Sequence, residues 1–439
     1  MNWLLRYRLK LYLQNSIWLL PVLSIGVALL TVRFMMQYEN ALGWQLKLSP
    51  ETGLLLMTTI AGSLFTLVVV TCSAVLLAVQ LASAQLTPRI ITFVYRSRSR
   101  KLTLAAFVFT FTFSMAVLIR IQNSVPWLAS YFAAYGFLVS LSLFLYFIDG
   151  MGKTLRPSTA LRSVALVGRE VIRTVYPKLL DDDQAVPATP KRLEGYPQRI
   201  VFNQQDGVVL AFDSRGLLSL AERWNCVIEL VPEVGDFIAA GDPLFRIFDG
   251  GDNLPDRALR NSVALGQERT LEQDPMFAFR IIVDIASKAL SPAVNDPTTA
   301  VLALDQIHHL LRDVGSRHLA EGREMDRTGR LRLAYRTPNW EDFVTLAVTE
   351  VRQYGRDSIQ VMRRTRAMLE NLIATLPERR RLLLSKELDL LQSSAMRAFP
   401  DPEDQMLAQI SDLQGMGGTR VEQLNETVEP MVSSITRVK

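Results

Sequence analysis

Uncharged, apolar stretches crowd into the first 150 residues of the chain, and dense charge begins only after Gly150. From Ile17 to Phe34 the only charge is Arg33, and that length approaches the roughly 20 apolar residues a membrane-spanning helix needs. Between Glu51 and Arg89 there is no charged residue at all, so a helix here would run well beyond a hydrocarbon core of roughly 30 Å. Leu102–Ile119 and Ile121–Ile148 are also uncharged and are separated by Arg120 and a turn through Asn123, Ser124 and Pro126. The pattern predicts a four-helix transmembrane domain over residues 1–150, opening with an N-terminal amphipathic segment.

The second of these spans carries a polar repeat. Thr59, Thr66, Ser73, Gln80 and Thr87 recur every seven residues, with Ser63 between the first two, and so share one helix face. Small hydroxyl residues let membrane helices approach closely, so the stripe reads as a packing seam. The sharper alternative is the wall of an aqueous path in an oligomer, with Thr59, Ser63, Thr66, Ser73, Gln80 and Thr87 lining a pore and Arg89 and Arg96 at its cytosolic mouth. No Asp, Glu, His or Arg stands in the middle of a span, which argues against a proton relay within the bilayer.

After Gly150 the periodicity changes. Asp181, Asp182 and Asp183 with Pro187 and Pro190 mark residues 151–192 as a linker with a short helix. Short β-prone runs at Gln198–Phe202, Gly207–Phe212, Cys226–Val231 and Leu244–Phe248 predict a small β module over 193–250, with a short helix beginning near Ser214. The paired Gly-Asp turns at Gly235-Asp236 and Gly241-Asp242 are similar to those of barrel-sandwich (lipoyl/biotinyl-like) modules. No lysine stands at the expected hairpin tip, which favours a structural or docking module over a carrier arm.

Residues 255–396 read as a helical domain, followed by a C-terminal tail over 397–439. Arg280, Asp284 and Lys288 are spaced four apart on one face of a helix whose other faces carry Phe277, Ile281, Ile285 and Leu290. That helix stops at Ser291-Pro292, and Asn295-Asp296-Pro297-Thr298-Thr299 restarts one, with Asp as cap and Pro at the first helical position. The cap alone explains Asp296; the alternative is that the turn, with Thr298 and Thr299 beside free N–H groups, holds an anion or contacts the membrane domain. Asp274, Arg280, Asp284, Asn295 and Asp296 are expected to form one polar cluster between the two helices. Trp340–Leu376 and Pro377–Met396 read as two long amphipathic helices, with Arg363, Arg364, Arg366 and Arg379–Arg381 on a solvated face or, as the alternative, against anionic lipid.

Charge and composition narrow the function. The net charge is +5, with 48 Lys and Arg against 43 Asp and Glu, too balanced for a nucleic-acid binder. Basic residues cluster before the first span (Arg6, Arg8, Lys10), after the second (Arg89, Arg96, Arg98, Arg100, Lys101) and after the fourth (Lys153, Arg156, Arg162). Basic loops stay in the cytosol, so both termini are expected there. Trp44 and Trp127 fit interfacial anchors. Cys72 and Cys226 lie far apart and predict neither a disulfide nor a metal site. Only His308, His309 and His318 supply imidazoles, and no nucleophile elbow, P-loop or dinucleotide fingerprint occurs, so the chain is expected not to be an enzyme and to use no cofactor.

Three long motifs carry a resemblance. Gln80-Leu-Ala-Ser-Ala-Gln-Leu-Thr-Pro-Arg89, Arg269-Thr-Leu-Glu-Gln-Asp274-Pro-Met-Phe-Ala-Phe-Arg280 and Ala289-Leu-Ser-Pro-Ala-Val-Asn-Asp-Pro-Thr-Thr-Ala300 resemble the bacterial membrane proteins grouped as domain of unknown function 2254. The resemblance covers nearly the whole chain and implies its topology without implying an activity. The overall expectation is an inner-membrane, multi-pass chain with a cytosolic α+β region and the bilayer as partner. The polar stripe points to a homo-oligomeric channel or transporter with a small ion or an anionic ligand, and the alternative is a membrane-anchored sensor or scaffold.

Overall fold

The computed structural model describes residues 3–42, 45–46, 49–91, 97–122, 125–154, 156–180, 195–319 and 322–417. Trp44, Lys47, Arg96 and the 181–190 part of the linker fall outside them, as does the tail beyond residue 417. The chain divides into two compact units, residues 9–160 and residues 1–8 with 161–439. The first helix, α1 (Trp3–Asn15), contributes its residues 3–8 to the larger unit and 9–15 to the smaller.

The smaller unit is a bundle of four long helices, α2 (Leu19–Leu42), α3 (Pro50–Gln85), α4 (Arg98–Leu118) and α5 (Trp127–Thr154). All four are long and apolar enough to cross a membrane. Ser49 caps α3 and Pro50 occupies its first turn, so the helix starts where its sequence signals a start. At 36 residues α3 is about 54 Å long and exceeds the hydrocarbon thickness on its own. Helix α4 packs against each of the other three. Its Phe113 lies 4.9 Å, centroid to centroid, from Phe132 of α5, and its Phe111 lies 6.1 Å from Phe65 of α3. The two loops on one side of the bundle pair as a minimal ribbon, β1 (Gln45–Leu46) with β2 (Val125–Pro126).

Two polar devices close this bundle. Glu39, buried near the end of α2, accepts hydrogen bonds from the N–H groups of Trp127 and Leu128, the first turn of α5. Those amides have no partner within their own helix, and a carboxylate also suits the positive end of the helix dipole. Lys101 is buried at the start of α4 and donates to the carbonyls of Leu13 and Gln14 (3.3 and 2.5 Å) at the end of α1.

The larger unit mixes helix and sheet. It contains α6 (Pro157–Val175, from Leu161 onward), β3 (Arg199–Phe202), β4 (Gly207–Phe212), α7 (Ser214–Arg223), β5 (Val227–Leu230), β6 (Phe237–Ile238), β7 (Pro243–Phe248), α8 (Asp256–Arg260) and β8 (Val263–Gly266). There follow α9 (Pro275–Ala289), α10 (Pro297–Gly315), β9 (Arg323–Met325), β10 (Leu331–Tyr335), α11 (Trp340–Tyr354), α12 (Ile359–Thr375), α13 (Glu378–Ala398) and α14 (Pro402–Ala408). The strands form a five-stranded sheet in the order β3-β7-β5-β10-β9 and a three-stranded sheet β6-β4-β8. No sheet closes, and the barrel-sandwich form expected from the Gly-Asp turns is not confirmed. The turns themselves are built alike. The Asp236 carboxylate accepts from Glu233 N and that of Asp242 from Ala239 N, each at 2.8 Å.

The expected long helix Trp340–Leu376 is two, α11 and α12, separated by Gly355–Ser358. A side chain at Gly355 would run into Val361, and Ser358 caps the second helix. The expectation of a solvated arginine face on α12 is also corrected. Arg363 is fully buried, donating to the carbonyls of Ile410 (2.9 Å) and Gly417 (3.0 Å), and Arg364 is buried against Asp305 (2.7 Å). The chain after α14 folds back over α12, so that face is covered by protein.

Candidate functional site

The polar stripe falls on α3 from Thr59 to Gln80. Thr59, Thr66, Ser73 and Gln80 are exposed on the single chain and Ser63 is half-buried, while Met57, Ile60, Ala61, Leu64, Thr71, Val75, Ala78 and Ala82 form the face packed into the bundle. The hydroxyls of Thr59 and Thr66 donate to the carbonyls of Leu55 (2.8 Å) and Gly62 (3.0 Å) one turn back. Thr87 departs from the stripe. It lies past the end of α3, is buried, and caps a short 3₁₀ turn, Pro88–Ile90, by accepting from Arg89 N. Arg89 sits exposed in that turn, and Arg96, the second residue expected at the mouth, lies outside the described residues.

The second group of expected residues sorts into three local arrangements. In the first, Asp274 caps α9, its Oδ1 accepting from Phe277 N at 3.0 Å, and Arg269 Nε lies 3.1 Å from its Oδ2. The guanidinium of Arg269 lies against the backbone of Gly235. That residue has φ +97°, and any Cβ there would overlap the guanidinium. Gln273 fastens the same loop to β4, with its amide accepting from Phe212 N (3.1 Å) and donating to Phe212 O (3.2 Å). Glu233 stands on the far side of the Gly235 turn, in the field of Asp236, Arg336, Asp342 and Asp274. Burial, and then the neighbouring carboxylates, push Glu233 up to about 7. Burial pushes Asp274 up to about 6 against the opposing pull of Arg269. Tyr176, whose hydroxyl meets Thr337 at 3.3 Å, is held above the ordinary phenol range chiefly by burial.

In the second arrangement Arg280 ties α9 to α11. Its Nε donates to Asp284 at 2.6 Å, and its two terminal nitrogens grip Glu350 at 2.6 and 2.7 Å, so the hydrogen bonds to Glu350 hold the guanidinium well above its ordinary value. In the third, Asp296 caps α10, taking Thr299 N on Oδ1 (3.0 Å) and the Thr299 hydroxyl on Oδ2. Asn295 supplies the left-handed turn, at φ 46°, that leads into the cap, and Thr298 is exposed. The cap therefore occupies the hydroxyl and the amide of Thr299, two of the groups an anion at this turn would use.

Glu350, Glu233 and Gln273 are the partners that sequence reasoning missed. They lie far from Arg280, Asp274 and Phe212 along the chain, and no local spacing marks them. Among the described residues no group of three His, Cys, Asp or Glu side chains is placed to hold a metal ion.

Comparison with known proteins agrees with the bundle and the motifs. Uncharacterized proteins of Mycobacterium bovis and Mycobacterium tuberculosis are each 25% identical over 419 residues, which covers 90% of this chain and 79% of the relative. No solved structure matches the chain. A family model described as "Predicted membrane protein (DUF2254)" matches residues 14–371, a span that holds all four apolar helices, the Arg269–Arg280 loop and helix, and the Asp296 cap, and the chain belongs to that family.

Proposed function

We propose that this membrane protein is a homo-oligomeric channel or transporter of the bacterial inner membrane, in which copies of α3 line the path and the larger unit is cytosolic and assembles or gates it. The observation that carries the reading is the exposed row Thr59, Thr66, Ser73 and Gln80 on the side of α3 turned away from its own bundle. A long amide such as Gln80 facing hydrocarbon leaves its donors and acceptor unsatisfied, and a neighbouring copy or water satisfies them. Hydroxyls and amides carry no net charge, so the stripe alone selects weakly, and exposed Arg89 favours anions at the cytosolic end. In this reading the chain performs no catalysis.

One observation favours the alternative of an anchored sensor or scaffold. Thr59 and Thr66 already satisfy their hydroxyls within α3 and tolerate lipid. Ser73 and Gln80 therefore decide between the two. Cys72 is exposed beside them, so the test uses a Cys72→Ser background. Ser73→Cys or Gln80→Cys protein in planar bilayers should conduct, and a charged thiol reagent should change the conductance. Absent conductance, or conductance insensitive to modification at both positions, rejects the pore and leaves the scaffold.

A further inference from the structure

Helix α1 is apolar on two sides. Trp3, Leu4, Tyr7 and Leu11 are half-buried and face protein: Trp3 stands in a cleft beside Leu220 and Pro255, the Tyr7 ring stacks on it at 5.3 Å, and the Tyr7 hydroxyl meets that of Thr270 at 3.5 Å. At about 100° per residue, Leu5, Leu9, Tyr12 and Leu13 fall together on the opposite side, in a strip about 100° wide. They are 56, 47, 52 and 47% exposed. Arg6 and Lys10 border this strip on one edge and Arg8 on the other, and all three are exposed. An apolar strip with basic borders is the pattern of a helix that lies in a lipid–water interface.

The bundle places the end of this helix at such an interface. The first span, α2, begins at Leu19, four residues after α1 ends at Asn15. Lys101 is the last charge before the uncharged run Leu102–Ile119 of α4, and it donates to the carbonyls of Leu13 and Gln14. The C-terminal end of α1 is therefore level with the point where α4 turns from charged to apolar, which is where headgroups give way to hydrocarbon. Tyr12 and Trp18 meet edge to face at 6.4 Å beside it, two residue types that favour this depth. We infer that α1 is an interfacial helix bound to an anionic lipid leaflet: Leu5, Leu9, Tyr12 and Leu13 sink to the boundary between headgroups and acyl chains, and Arg6, Arg8 and Lys10 meet lipid phosphates. A second copy fits the strip poorly, because two such strips face to face would set basic border against basic border. The assignment rests on the bundle spanning the bilayer and is independent of whether α3 lines a pore.

Leu5 lies about 15 Å along the helix from its end at Asn15, so the spans alone do not bring it to lipid. The full chain carrying Cys72→Ser and Leu5→Cys, with a fluorophore on the new thiol, is reconstituted in vesicles of phosphatidylcholine and phosphatidylglycerol whose acyl chains are brominated in one lipid at a time. Cys226 is buried and does not compete for the label. Both brominated lipids should quench the label, and phosphatidylglycerol should be enriched around it roughly fivefold over phosphatidylcholine, the preference that one arginine near the surface supplies. Arg6→Gln with Arg8→Gln should bring the two lipids to equal quenching and leave the acyl-chain contact in place. A label that neither lipid quenches overturns the placement, whether the strip then lies in water or against a second copy. Equal quenching by both lipids without the arginine changes overturns the recognition of anionic lipid. Leu9→Cys, also exposed, repeats the reading should the first label disturb the helix.

Discussion

Arg363 carries its charge in a place without water, and its worth is set by what it holds. Its guanidinium closes the carbonyls of buried Ile410 and half-buried Gly417, so Arg363→Met would take this donor from both. We predict a loss of about 3 kcal/mol and a lower melting temperature of the larger unit. Arg356→Ala should change stability by less than about 0.5 kcal/mol, because Arg356 and its partner Asp357 are both largely exposed. Thermal unfolding of the two variants side by side checks the contrast, and equal effects would refute it. Residues of this kind divide by how far away their partners stand. Asp296 was read as a cap because Asp-Pro announces a helix start within three positions, whereas the same pair at Asp274-Pro275, also a cap, was read only as part of a polar cluster. The Arg280 pair with Asp284 was legible too, one turn apart, whereas its bidentate grip on Glu350 spans 70 positions and left no local trace. Arg363 misled for the same reason, since the segment that buries it arrives some 50 residues later.

Among elements, long apolar runs and Pro-led helix starts were read correctly, because a hydrophobic run and a cap are local physical requirements. The break between α11 and α12 was not, since apolar periodicity continues across Gly355 and the decisive contact is with the Val361 side chain. Close approach sets another demand. Gly168 brings α6 against α9, where an added Cβ would fall 2.6 Å from that of Ala278 and 3.4 Å from Leu310 of α10. Gly168→Ala should therefore destabilise the larger unit by about 1–3 kcal/mol despite the better helix propensity of Ala. Gly152→Ala on α5, with nothing within 4 Å, should be neutral or slightly stabilising. A melting temperature that rises for both variants would refute the close packing of α6.

For the whole molecule, the division between an apolar first third and a charged remainder was evident, while the sheets were not. β8, β9 and β10 complete the two sheets from positions 263–335, past the expected end of the β module, and strand pairing over such separations has no sequence signal of its own. The proposed orientation rests on the basic loops, and reporters fused at Ser97 and Lys153 should read the cytosol and one at Gln122 the outside. A cytosolic signal at Gln122 would reverse it. The Glu39 bridge bears on how such a chain is made. A ribosome delivers Glu39 to the membrane before the amides of Trp127 and Leu128, 88 and 89 residues downstream, exist to receive it. Through the birth of the second and third spans that carboxylate must stay at the hydrated interface, where headgroups and water serve it. The Glu39 contact can form only once the last span is in place, so this polar link between the first span and the fourth is a late addition to the bundle.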